Sequence, residues 1–152
     1  MYGAILGDII SLYHKREESG IYYLVKPKVK FTDHTVTLVA LADALTSTDS
    51  ADMNQLEEKI RQSLIRWGKE YWNPNYSEHF KKWLANPEPI EDYDNGAAVR
   101  ATIIPYLYTD RDLIEKVTEL STLITHCDSD KFIDSRFVCI IVVLNCPQSG
   151  EC

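Results

Sequence analysis

Three short stretches hold the residue types that catalyse or bind. Phe31-Thr32-Asp33-His34-Thr35 packs two hydroxyls, a carboxylate and an imidazole into five residues. At a helix start such a set could gather round a cation, with Thr32, Asp33 and His34 as ligands. Taken alone, plain capping is the favoured reading, with Thr32 or Asp33 accepting from the first free backbone N–H groups and His34 at the surface. Tyr93-Asp94-Asn95-Gly96-Ala97-Ala98-Val99-Arg100 places small residues directly behind a loop. Small residues there let backbone N–H groups approach an anion closely. The alternative is an Asn-Gly turn followed by a close helix contact through Ala97 and Ala98. Ile124-Thr125-His126 closes a helical stretch. The negative end of a helix favours a protonated imidazole, so capping is the simple role for His126.

Each stretch lies where the sequence predicts a helix boundary. Ile5, Leu6, Ile9, Ile10 and Tyr13 recur at helical steps and predict a helix over 3–15. The segment 17–27, broken by Gly20 and Pro27, reads as a loop, with a short strand at Ile21-Tyr22-Tyr23-Leu24-Val25 as the alternative. A second helix starts at Thr32 or Asp33, carries Val36, Val39, Ala40, Ala42 and Leu45, and stops in 46–50. The third, over 52–71, sets Leu56, Ile60, Leu64, Trp67 and Tyr71 opposite Glu57, Glu58, Arg61 and Lys69. A shorter helix spans 76–84, and the turn formers of 86–96 make a loop. Another helix begins at Ala97 and is bent or ended by Pro105. A further one covers 110–125, with Leu113, Val117, Leu120 and Ile124 inward. Ile133, Phe137, Ile140 or Ile141, and Leu144 stand at helical steps. The run Phe-Val-Cys-Ile-Ile-Val-Val-Leu is also β-branched enough for a buried strand, but helix is the reading adopted. A compact all-α domain of six or seven helices is expected.

With 152 residues the chain suffices for about one domain, and its 45% hydrophobic and 26% charged residues are ordinary for a globular protein. The net charge of −7 repels phosphate backbones, which argues against direct nucleic-acid binding. A cation or a basic protein partner fits that charge better. The longest apolar run, Phe137 to Leu144, falls well short of the roughly 20 residues of a bilayer crossing, so no membrane span is expected. The start of the chain has no basic segment before its apolar residues, which points to a cytoplasmic location. Cys127, Cys139, Cys146 and Cys152 match no zinc spacing, and reduced thiols are expected.

The opening Gly3-Ala4-Ile5-Leu6-Gly7-Asp8-Ile9-Ile10 joins the three stretches into an ordered series. In order and approximate spacing the series resembles the ADP-ribosylglycohydrolase family, which includes the dinitrogenase reductase-activating glycohydrolases and the ADP-ribosyl-acceptor hydrolases. The resemblance covers residues 1–126 of a single domain, and 127–152 diverges. It implies an orthogonal all-α fold whose cleft holds two magnesium ions and ADP-ribose. There the metals grip the ribose hydroxyls and a water that attacks the anomeric carbon. Carried over position by position, Thr32 and Asp33 would be metal ligands, and activity would rest on Asp33. Tyr93, Asn95 and Gly96 would face the diphosphate and ribose, and His126 would line the nucleotide end.

The departures from that pattern fall on the chemistry. His34 stands where the family motif has a second acid, and magnesium prefers oxygen ligands to imidazole. Ser11-Leu12-Tyr13-His14 replaces a stretch that usually brings a metal-serving glutamate, with Glu17 and Glu18 several residues late. Asp94 replaces a glycine and adds negative charge near the diphosphate position. The family's second acidic cluster has no counterpart, since Asp128, Asp130 and Asp134 lie in unrelated context and read as solvated or capping residues. The expectation is therefore a truncated, degenerate relative that acts by binding and lacks hydrolysis. Its partner would be ADP-ribose or a protein, for which a small acidic inhibitor, such as a phage protein against a bacterial defence complex, suits the charge. An active metal-dependent hydrolase is the alternative. Half of a helical fold would leave an apolar face, which the 137–144 segment would cover by folding back or bury in a homodimer.

Overall fold

The computed structural model describes residues 2–13, 31–48, 52–91, 94–127 and 129–145. Through them run eight helices: α1 (Tyr2–Tyr13), α2 (Asp33–Ser47), α3 (Met53–Glu70), α4 (Glu78–Ala85), α5 (Gly96–Ala101), α6 (Ile104–Leu107), α7 (Arg111–Leu123) and α8 (Ser129–Asn145). The protein is all-α, and the 137–144 run is helix. Among the described residues the one extended pairing is a parallel bridge between Ile90 and His126. No helix of the described residues is long and apolar enough to cross a membrane.

Helix starts follow the capping chemistry written in the sequence. Thr32 accepts from the His34 N–H, Asp52 from Asn54 and Gln55, Ser77 from Phe80, and Asp110 from Leu113. Each such cap is worth about 1 kcal/mol. The helix that begins at Gly96 is not ended by Pro105, as the sequence suggests. It stops at Ala101, and Pro105 lies in the first turn of α6, where a missing N–H costs nothing. The segment 17–27, read as a loop with a short strand at 21–25 as the alternative, lies outside the described residues.

At the centre stands α2, whose Leu38, Ala40, Leu41 and Ala44 are wholly enclosed and which packs against α1, α3 and α5. Its strongest lateral fastening is to α3. Ser63 Oγ donates to the Ala40 carbonyl and to Asp43 Oδ2, both at 2.9 Å, and Arg66 and Trp67 Nε1 donate to the same Asp43 oxygen. Partial burial raises the Asp43 pKa, but the bonds from Ser63 and Trp67 and the charges of Arg66 and Lys59 outweigh it and hold the carboxyl below its usual range. Leu56, Ile60 and Leu64 carry the inner face of α3 as expected, whereas Tyr71 lies half open, stacked on Trp67. Gly68 lets α4 come close: a Cβ there would stand 2.8 Å from a methyl of Leu84 and 3.0 Å from the Phe80 ring.

The chain returns over α5 and α7 through α8. Cys139 is the buried anchor. Its Sγ donates to the Ala101 carbonyl and lies 3.3 Å from Thr118 Oγ1, while Ser135 Oγ accepts from Thr122. Burial pushes the Cys139 thiol pKa upward, and the bond with Thr118 offsets this only in part. Cys139 and the exposed Cys127 are both free thiols.

Candidate functional site

Two clusters form from the stretches singled out by sequence. The first lies where α1 meets the start of α2. Asp8, buried on α1, accepts from Thr32 N (2.9 Å), Thr32 Oγ1 (2.6 Å), Thr35 N (3.3 Å) and Thr35 Oγ1 (2.6 Å). A carboxylate is thus set against the free N–H groups of α2, where the helix dipole favours negative charge. Thr32 Oγ1 gives its proton to Asp8 and accepts from His34 N at 3.1 Å, which is the N-cap bond. The choice between Thr32 and Asp33 as cap is settled for Thr32.

Asp33 turns the other way. It is 5% exposed, and Ser77 donates to both of its oxygens, from N at 3.1 Å to Oδ1 and from Oγ at 2.6 Å to Oδ2. Ser77 in turn caps α4, so Asp33 clasps the start of α2 to the start of α4. Nearby, Tyr76 donates to the Tyr71 carbonyl at 2.6 Å. Burial and the Asp33 charge push its phenol up to about 12. His34 is half-buried on α2 and is not part of any group of three or more His, Cys, Asp or Glu among the described residues that could hold a metal ion.

The second cluster gathers around Arg100 on α5. Asp94 Oδ1 accepts from Gly96 N at 2.7 Å, so a carboxylate of this chain takes the N–H that an anion would have sought. Asn95 stands at the N-cap of α5 and Gly96 is the first residue of that helix. Gly96 and Ala97 are buried in a helix that packs against both α8 and α2, while Asn95 is exposed and makes no side-chain cap. Tyr93 lies outside the described residues, as do His14, Glu17, Glu18 and Asp128.

Arg100 is 2% exposed, and its Nη2 donates to the Ser121 carbonyl and to Thr125 Oγ1. Burial draws the guanidinium down to about 10, with the Asp94 charge opposing; it stays charged at neutral pH. Thr125 Oγ1 lies 2.7 Å from His126 Nδ1. Which of the two donates depends on the imidazole tautomer, and burial together with the Arg100 charge keeps the ring neutral at neutral pH. The protonated helix cap expected of His126 is therefore overturned. The ring is fully enclosed, and burial, then Arg100 and then His79 draw its pKa down to about 3, against a smaller opposing pull from Asp94. Desolvation outweighs the helix dipole.

The first turn of α4 connects the clusters. Ser77 holds Asp33, and two residues on, the buried His79 stacks on His126 with ring centroids 4.2 Å apart at 18°. The structure thus brings Thr32 and Asp33 into one framework with His126, Gly96 and Arg100. Sequence reasoning gave no part to Asp8, Ser77, His79 or Arg100. Asp8 and Arg100 sit inside the quoted motifs and were within reach; Ser77 and His79 carry no local signal.

No family model, no curated protein and no solved structure matches this chain.

Proposed function

We propose that the chain is an ADP-ribosylglycohydrolase-like scaffold that acts by binding and does not hydrolyse. The observation that carries this reading is the state of Asp33. Both carboxylate oxygens of the one acid at a matching motif position are engaged by Ser77, inside the fold. The donor set around it does not suit a pair of magnesium ions. Two such ions bring four positive charges and call for several hard oxygen ligands, mostly carboxylates. Here the neighbouring acid, Asp8, is spent on Thr32 and Thr35, Thr32 gives its proton to Asp8, and His34 offers an imidazole. These groups tie three helices together. ADP-ribose, or a basic protein attracted by the charge of −7, are the partners this reading admits.

The test is turnover and binding measured side by side. Release of ADP-ribose from an ADP-ribosylated arginine peptide is followed with magnesium and with manganese, and ADP-ribose is titrated calorimetrically. The reading expects release at the rate of buffer alone. Release above that rate that disappears in Asp33→Asn would replace it with a working hydrolase.

A further inference from the structure

The outer face of α8 carries an apolar stripe that the described residues leave open. Ile133, Phe137, Ile140, Ile141 and Leu144 are 47%, 61%, 45%, 57% and 74% exposed, while Ser135 and Cys139 on the opposite face are buried. Steps of four, three and four from Ile133 through Phe137 and Ile140 to Leu144 are those of a coiled-coil seam. Beside the stripe a groove of about 280 Å³ runs between α7 and α8, lined by Ile114, Thr118, Cys139, Val143 and the seam residues Ile140 and Leu144.

We infer that α8 is a dimerisation helix, and that it pairs antiparallel with α8 of a second copy of this chain. Three observations select that occupant. The seam is self-complementary, as a two-fold interface requires, because each copy offers the same knobs and the same groove. The area suffices: the five side chains expose on the order of 500–600 Å² per copy, so about 1,100 Å² is buried across two before any rim is counted, past the ~1,000 Å² a specific interface needs. A stripe of that size is also at the upper end of what a monomer leaves open.

Charge then fixes the direction. Asp130, Lys131, Asp134 and Arg136 occupy the first half of α8, and residues 137–145 carry no charge. A parallel pair would stack the two charged halves on each other and align the helix dipoles unfavourably. An antiparallel pair sets each charged half against an uncharged one and opposes the helix dipoles favourably.

The full chain is followed by sedimentation equilibrium from about 1 to about 100 μM, a range that spans micromolar dissociation constants. The expected result is a mass that rises from monomer to dimer and stops there. Phe137→Asp combined with Leu144→Asp should stay monomeric throughout, with unchanged helical signal and the urea midpoint of the parent at its lowest, monomeric concentration, because both side chains are exposed. A monomer at every concentration overturns the inference, as does a dimer that persists in the double variant or an assembly that grows past two. The direction has its own readout. The antiparallel pair keeps the two Cys127 thiols roughly 30 Å apart at about 1.5 Å per helical residue. A Cys127–Cys127 disulfide found by peptide mapping after mild oxidation overturns that arrangement.

Discussion

Replacing Asp33 by Asn separates a structural clasp from a ligand waiting for its ion. In the clasp, a buried carboxylate takes one hydrogen bond on each oxygen, from Ser77 N and Ser77 Oγ. Hydrogen bonds to a charged group contribute about 1.5–3 kcal/mol each. Asn keeps an acceptor for Ser77 N and offers Ser77 Oγ an N–H in place of an oxygen, so both charge-assisted bonds become neutral ones of about half the strength. The negative charge in the first turn of α2 goes as well, worth about 0.3–1 kcal/mol. Together these give a loss of about 2–4 kcal/mol, or roughly 5–10 °C in Tm for a domain of this size. Urea unfolding followed by circular dichroism reads it directly, with the m-value unchanged. Ser77→Ala should cost a similar amount, and the double variant Asp33→Asn/Ser77→Ala should cost about 1–2 kcal/mol less than the sum, since both changes break the same bonds. A ligand carboxylate behaves oppositely: neutralising it in the metal-free protein relieves strain and stabilises. Asp33→Asn as stable as the parent, or more so, would refute the clasp.

Acid should find His126. Its folded pKa of about 3 lies below the ordinary value near 6.5, so the unfolded chain binds the proton first. The stability tied to the neutral ring is complete above about pH 6.5 and falls by about 1.4 kcal/mol per pH unit below it, down to about pH 3. In urea titrations across that window, His126→Gln should show a visibly flatter slope; an equal slope would contradict the assignment. Asp43, whose carboxyl is held below its usual range, contributes stability above about pH 4 that is lost as pH falls further. As it is about one-third exposed, Asp43→Asn should cost only roughly 1 kcal/mol near neutrality. Gly68→Ala should destabilise by about 1–2 kcal/mol despite the better helix former, because the new methyl meets Leu84 and Phe80. A gain in urea midpoint would show that α4 yields there.

Much of the fold was legible because the helices announce themselves. Leu56, Ile60 and Leu64 mark the buried face of α3 by spacing alone, and Thr32, Asp52 and Asp110 mark helix starts by type. Pro105 misled because proline reads as a breaker and as a first-turn residue with equal force, and only the end of α5 at Ala101 decides between them. His126 misled for a deeper reason. Its place after a helix is local and visible, whereas its enclosure by Arg100 and His79 depends on helices that meet only in the folded state. The site followed the same division. Thr32 and Asp33 were found through their motif, but what holds them, Asp8 from α1 and Ser77 from α4, lies 24 and 44 residues away along the chain. Spacing along one helix says nothing about such pairings.

The central claim, that Asp33 serves the fold and no metal pair, is tested most directly by magnesium-dependent stability. Urea unfolding of the parent chain and of Asp33→Asn is measured with and without magnesium at about 10 mM. A magnesium site on the folded state with a dissociation constant near 0.1 mM would add about 2.7 kcal/mol at that concentration. The account predicts the same small, nonspecific change in both proteins. A magnesium-induced gain of that size in the parent, lost in Asp33→Asn, would contradict it.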